Sequence, residues 1–309
     1  MAEKKVSRVR VSDFKPSGGA ASALSRRTGR GNVAPRSVVA YFGEDADTPI
    51  IEMLKGIRPE SQSFRGGEHV HVSDVISKCI RKIAIMRRMD LRHPQESLMD
   101  GHAITFAIGE ALHDYVKAKF TKGHPDKVWA EWKCSCGATS HTGTFSSIPT
   151  KQCPECCTAV DKHNEVPFVD PEYMLKGNPD LILWMDQYGA YYVIEIKSIA
   201  AEPWKELARP LPDHTVQIAF YWNILKKAGY PVVDKVSILY VNKEFSFKFP
   251  YKEFMIDPQA VDLGIYWDDL AALKASGEGG PLPMRVVCAT DSAPEAKKCP
   301  VCVTCFGCP

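Results

Sequence analysis

No apolar run in the 309-residue sequence approaches the ~18 residues needed to cross a bilayer, so no membrane-spanning helix is expected. The opening residues carry charge without the apolar core of a secretory signal, and the expected location is cytoplasmic. Nothing matches GxxxxGK[ST], the phosphate-cradling loop of nucleotide-driven motors. No internal repeat is present. The formal charge is only +2, so the surface as a whole carries no polyanion signal.

What is present is unevenly spread. Residues 1–36 hold nine Lys or Arg against Glu3 and Asp13, a net +7 that leaves −5 of the total +2 for the remainder. This segment is rich in Gly, Ser and Ala and poor in large apolar residues, and it reads as a mobile basic arm. Nucleic-acid contact is one use of such an arm; a solvated tail is the other. Eleven cysteines are many for a reducing compartment, where disulfides are disfavoured. They fall in clusters, which points to metal.

Periodicity predicts one helix over 71–90, with Ser73 or Asp74 as cap and Val75, Ile76, Cys79, Ile83 and Met86 as its apolar stripe. A second helix is expected over 97–120. A strand at 128–133 leads into a cysteine-rich insert. An apolar hairpin follows at 180–198, then a helix at 212–229 ending at Gly229. Strands are expected at 236–242 and 245–249, and a helix at 257–277. This mixture predicts an α/β core with helices covering a central sheet.

The hairpin "KGNPDLILWMDQYGAYYVIEIKS" is unusual. Its strands are rich in Leu, Ile, Val, Trp and Tyr, yet Asp180 opens the first while Glu195 and Lys197 sit near the end of the second. Residues two apart in a strand share a face, so Glu195 and Lys197 point the same way. Strand pairing can bring Asp180 beside Glu195. Two adjacent carboxylates repel unless one is protonated or a cation intervenes. Mg²⁺ or Mn²⁺, hard ions that prefer oxygen, would resolve this. The plain alternative is an ion pair on an edge strand.

Other residues extend the pattern. His113 lies in "GEALHDYV" upstream; Gln217 and Tyr221 give Q-x-x-x-Y downstream, four apart on one helix face. The order His, G-x-x-D, E-x-K, Q-x-x-x-Y resembles the PD-(D/E)XK nuclease superfamily, and within it the RecB/AddB-like exonuclease branch with its CRISPR-associated members. The resemblance covers roughly residues 70–309. It implies a restriction-endonuclease-like core, a central mixed sheet flanked by helices. It implies that His113, Asp180, Glu195 and the Ile196 carbonyl hold Mg²⁺ or Mn²⁺, and that Lys197 is the catalytic lysine. Gln217 and Tyr221 would contact DNA or steady the site.

Cys299, Cys302 and Cys308 form C-x₂-C-x₅-C, and Cys79 lies far upstream. Iron–sulfur clusters take thiolates from ligands distant in sequence. One cysteine before the nuclease motifs and three after resembles the same branch, which implies a structural 4Fe-4S cluster closing the C-terminus. Cys288 and Cys305 are additional, and either can replace Cys302 or Cys308. A zinc site made from tail cysteines alone, with Cys79 as an apolar core residue, stays open. In the insert, Cys134 and Cys136 face Cys153 and Cys156 across a Gly/Ser/Thr-rich span, a set suited to structural Zn²⁺. Cys157 and His141 are possible substitutes. With little apolar material, this lobe is expected to depend on metal for folding.

The expected organisation is a basic arm over 1–36 and a nuclease domain over 37–309. That domain includes a zinc-ribbon-like insert at 128–160 and a cluster-binding tail at 285–309. The expected activity is a metal-dependent DNA exonuclease on ends or single strands, in recombination, repair or phage DNA processing. Any helicase function would come from a partner. A catalytically silent DNA-binding subunit of a recombination complex and a structure-specific endonuclease are the alternatives.

Overall fold

The two apolar runs around the turn at 186–189 fold as an antiparallel hairpin, and a mixed sheet is built out from it. The computed structural model describes residues 8–10, 39–41, 69–77, 79–91, 100–138, 140–148, 151–158, 160, 162–244 and 250–307. The chain divides into two units, Met1–Arg58 and Pro59–Pro309. In the first, β1 (Arg8–Arg10) pairs antiparallel with β2 (Val39–Tyr41); the rest of the basic arm lies outside the described residues.

The second unit opens with β3 (Val70–His71), α1 (Val72–Ser77), α2 (Ile80–Arg88) and the long helix α3 (Asp100–Gly123). The insert contributes β4 (Trp129–Lys133), β5 (Ser140–Thr144) and β6 (Lys162–Asn164), in the order β5-β4-β6. Next, β7 (Phe168–Asp170) and β8 (Leu175–Gly177) join β3 in a small sheet. The hairpin is β9 (Leu181–Met185) and β10 (Ala190–Ile199). After α4 (Ala201–Glu206) and α5 (Pro212–Lys227) come β11 (Val232–Asn242) and β12 (Tyr251–Ile256). The unit ends with α6 (Gly264–Gly277), α7 (Pro294–Lys297) and α8 (Cys302–Phe306).

The main sheet has the order β12-β11-β10-β9. β10 and β11 run parallel, and α5 lies in the connection between them; both outer pairs are antiparallel. α5 starts with Pro at its first turn and stops at Gly229, where φ is +84° and the Tyr230 amide bonds back to the Leu225 carbonyl. It buries Ile218, Ala219, Phe220, Tyr221, Trp222, Ile224 and Leu225 in the main core with Val193, Val236 and Ile238. Each large apolar side chain buried this way contributes roughly 1.5–3 kcal/mol. Alternation along β10 sends Val193 into that core and its neighbours the other way. Ile194 packs with the insert, and Ile196 packs with Val116 of α3.

Three differences from expectation have local causes. The helix predicted over 71–90 is broken: Cys79 is extended (φ −70°, ψ 113°) and its carbonyl accepts the Ile83 amide as α2 begins. The apolar stripe continues on both sides of the break, through Val72 and Val75 and then Ile80 and Ile83, so periodicity alone does not reveal it. The helix expected from 257 starts at Gly264. Asp257 instead caps a 3₁₀ turn over Pro258–Ala260. The insert is also less starved of apolar contacts than expected. Val128, Ala130, Trp132, Ile148 and Val160 pack against Leu181 and Ile194 of the hairpin. The strand expected at 245–249 lies outside the described residues.

Candidate active site

β9 pairs with β10 only from Ala190 to Ile194, so among the described residues no strand pairs with that edge along the last half of β10. Asp180, just before β9, occupies that edge: its Oδ2 accepts the Ile196 amide at 2.7 Å. In a strand the amide and carbonyl of one residue point to the same side, so the Ile196 carbonyl opens onto this edge too. His113 reaches it from α3, with Nδ1 3.6 Å from Asp180 Oδ1. On the α5 face, Lys197 Nζ donates to Glu195 Oε1 at 2.7 Å and to Gln217 Oε1 at 2.9 Å. Gln217 Nε2 in turn donates to the Tyr221 hydroxyl at 2.7 Å. The fold therefore gathers His113, Asp180, Glu195, Ile196, Lys197, Gln217 and Tyr221 in one place.

The electrostatics are unbalanced. Glu195 is 2% exposed, and its Oε2 is buried with no hydrogen-bond partner among the described residues. Burial, then Asp180, pushes its carboxyl up to about 8, and Lys197 does not offset them. Burial works against the Lys197 ammonium, but Glu195 and then Asp180 outweigh it and raise its pKa. A carboxylate oxygen without a partner, a second carboxylate, a ring nitrogen and a backbone carbonyl are the donor types a hard divalent cation takes, but the ligand atoms of His113, Asp180 and Glu195 do not all lie within 4.8 Å of one another.

Three further residues shape the site, and two of them, Glu165 and His214, carry no motif signal. Glu165, in the link from β6 to β7, pairs with Lys117 of α3 at 3.0 Å; burial and then Asp180 raise its pKa. It adds a third carboxylate to the field of Asp180 and Glu195. Gly177 begins the G-x-x-D segment. A Cβ there would fall 2.6 Å from Cδ1 and Cε1 of Tyr221, so only glycine admits the ring at this approach. His214 lies one turn before Gln217, its Nδ1 2.7 Å from the Tyr240 hydroxyl. Burial, then Lys197, lowers its pKa to about 4.

The thiols form two different groups. In the insert, one sulfur each from Cys134, Cys136, Cys153 and Cys156 all lie within 4.8 Å of one another. The separations are 3.1 Å for Cys134–Cys156, 3.3 Å for Cys134–Cys136 and 3.7 Å for Cys136–Cys153. Hydrogen bonds from Thr158 draw the Cys156 thiol down to about 6. Cys157 is exposed, and His141 bonds Ser147 at 3.2 Å. In the tail, Cys299 and Cys305 pack on Ile85, Met86 and Val301. Arg81 Nε donates to Cys305 Sγ at 3.3 Å. Burial raises the Cys288 thiol, followed by the neighbouring Cys79, Cys299, Glu295 and Cys305. Cys302 Sγ instead lies 4.0 Å from the Asp291 carbonyl. Cys308 lies outside the described residues.

No family model matches the chain, and no curated protein does. Among solved structures, it is similar to the crystal structure of SSO0001 at 15% identity and a TM-score of 0.36, covering 76% of this chain and 84% of that one. It is also similar to an alkaline exonuclease, LHK-Exo, from Laribacter hongkongensis, at 13% identity and a TM-score of 0.40, covering 68% of this chain and 88% of that one. The same exonuclease in complex with dAMP matches at 13% identity, the same coverage and a TM-score of 0.39. At these scores the likeness carries no argument about chemistry. Among the described residues no helix is long and apolar enough to cross a membrane.

Proposed function

We propose that this chain is a metal-dependent deoxyribonuclease of the PD-(D/E)XK type, an exonuclease acting on DNA ends or single strands. The observation that carries the reading is the buried, unpartnered Glu195 Oε2 at an uncovered strand edge beside Asp180. Asp180, Glu195, His113 and the Ile196 carbonyl would hold Mg²⁺ or Mn²⁺, which when bound acidifies water and neutralises phosphate charge. Lys197 is a fixed cation, held by Glu195 Oε1 and Gln217 Oε1. It meets charge developing on the phosphate oxygens and orients the attacking water. Tyr221 holds Gln217, so the ammonium stays aimed without a reorganisation step. In-line attack then breaks the phosphodiester.

The two thiol groups complete the reading. The insert quartet would hold Zn²⁺: four Zn–S bonds of about 2.3 Å place tetrahedral sulfurs about 3.8 Å apart, near the spacing seen. The tail would hold a 4Fe-4S cluster. Its ligands are Cys79 and Cys299 with two of Cys288, Cys302, Cys305 and Cys308; the surroundings of Cys288 favour Cys288 and Cys305. Nuclease chemistry needs no electron transfer, so both groups act as staples. The RecB/AddB-like assignment, the arm–domain division at residue 36, and a helicase or recombination partner belong to the same proposal.

The test is digestion of end-labelled linear and closed circular DNA by protein purified without oxygen. Mn²⁺, Mg²⁺ and EDTA are compared, with Glu195→Ala beside the wild type. Metal-dependent loss of linear DNA only, absent in the variant, is expected. Opened circles would make it an endonuclease. Equal DNA binding without cleavage by either protein would replace the enzyme with a binding subunit.

A further inference from the structure

α5 presents a third polar side chain in line with Gln217 and Tyr221. His214 precedes them by three and seven residues, one stripe of the helix. Its Nδ1 meets the hydroxyl of Tyr240 at 2.7 Å, and that hydroxyl also accepts the Leu211 amide at 2.9 Å. Tyr240 is fully buried on β11, directly across from Lys197 in the parallel pairing. A phenol has one proton. Among the described residues Nδ1 is the one acceptor within reach of that proton, which assigns Nδ1 as the acceptor and the hydrogen to Nε2. Among the described residues Nε2 has no partner, and it is not sealed from solvent. The ring stays neutral near pH 7, because burial and then Lys197 oppose its protonation. The result is a neutral N–H donor of fixed tautomer, next to the fixed ammonium of Lys197.

We infer that His214 binds the substrate strand, its Nε2–H donating to a phosphate oxygen of DNA, with Tyr240 as a positioning residue that sets the tautomer. The inference rests on the nuclease reading and adds a phosphodiester contact that none of its motifs contains. A neutral donor recognises a phosphate oxygen without adding a second cation beside Lys197. It therefore binds the strand without competing for Glu195.

The experiment uses the full chain and a single-stranded thymidine oligonucleotide. Steady-state cleavage in Mn²⁺ is compared for wild type, His214→Ala, His214→Gln, His214→Asn and Tyr240→Phe. His214→Ala should raise KM about tenfold with kcat nearly unchanged, the scale of one hydrogen bond to a charged group. Gln, whose amide nitrogen reaches where Nε2 sits, should restore most of the affinity; Asn, which stops at the Nδ1 position, should not. In histidine-selective ¹⁵N spectra, the ring should show hydrogen on Nε2 only, and Tyr240→Phe should mix the tautomers. With EDTA present, the oligonucleotide should shift the His214 Nε2 resonance. An unchanged KM in His214→Ala, hydrogen on Nδ1, or an unmoved Nε2 resonance overturns the inference. If the wild type cut no DNA with any metal, the nuclease reading would fall, and the Nε2 resonance would still decide the contact.

Discussion

The uncovered edge of β10 and the cysteine insert both crowd groups that repel or compete, yet they are assembled in opposite ways. At the edge, atoms arrive from α3, from the residue before β9, and from β10 itself. One of them, Glu195 Oε2, is buried without a partner among the described residues. In the insert, four sulfurs come from two short knuckles and already lie within 4.8 Å of one another. Oxygen and nitrogen donors around a gap suit a hard cation that keeps positions for water and substrate. Four thiolates leave no such position and suit a structural ion. On the proposed reading, the difference separates a place for chemistry from a place that holds a lobe still. The two share a wall: Leu181 and Ile194 of the hairpin are also the floor on which the insert packs.

The largest effect that would break this contrast is at Lys197. Lys197→Ala should cut the cleavage rate about a thousandfold, roughly 4 kcal/mol of transition-state stabilisation, with DNA binding and iron and zinc content unchanged. Turnover within tenfold of wild type would remove the ammonium from the mechanism and leave the Glu195 pair as a structural ion pair. The counterpart in the insert is Cys153→Ser. The thiol is buried, so the variant should lose zinc and cost more than about 3 kcal/mol locally. Hydrogen exchange should accelerate across 129–164 while β10 and β11 stay protected. Full zinc stoichiometry in that variant would break the four-thiolate assignment.

Within these two sites, local relations were legible from sequence and long-range ones were not. Alternation and the E-x-K spacing put Glu195 and Lys197 on one strand face, and the four-residue step put Gln217 and Tyr221 on one helix face. Such relations are local and periodic. The insert cysteines were legible as paired knuckles for the same reason. Glu165 was not, because its partner Lys117 is 48 residues away and comes near only through the β6–β7 link. The break at Cys79 was hidden by an apolar stripe that runs through it. The proximity of Cys288 to Cys79 depends on how the tail returns to α2, which no spacing encodes. His214 carries no motif; only the partner hydroxyl on β11 distinguishes it from a surface histidine.

A smaller effect sharpens the edge itself. The Glu195 carboxyl is raised to about 8 by burial and then Asp180, against an ordinary value of 4.5. Between about pH 4.5 and 8 the folded metal-free protein thus keeps a proton that the unfolded chain has already released. Stability of the metal-free protein is lost as pH rises through that window. A divalent ion takes the proton's place. Thermal stabilisation by Mn²⁺ should therefore grow from pH 5.5 to 8 and flatten above, reaching about 2.7 kcal/mol at a hundredfold excess over Kd. Glu195→Gln should abolish the pH trend. Equal Mn²⁺ shifts at pH 5.5 and 8 would mean the ion does not displace a proton from this carboxyl.

The smallest effect tests whether the edge is held from behind. A Cβ at Gly177 would meet the Tyr221 ring at 2.6 Å, and Tyr221 anchors Gln217, which anchors Lys197. Gly177→Ala must push the ring or β8 aside, an overpacking cost of about 1–2 kcal/mol. Because the displaced ring carries the far end of the hydrogen-bond chain, kcat should fall together with the melting temperature. Tyr221→Ala removes the obstacle, so the double variant should be more stable than the sum of the two single costs. Strict additivity would mean that Gly177 and Tyr221 do not press on each other. The glycine of the G-x-x-D segment would then serve only the turn into β9, and the aim of Lys197 would depend on α5 alone.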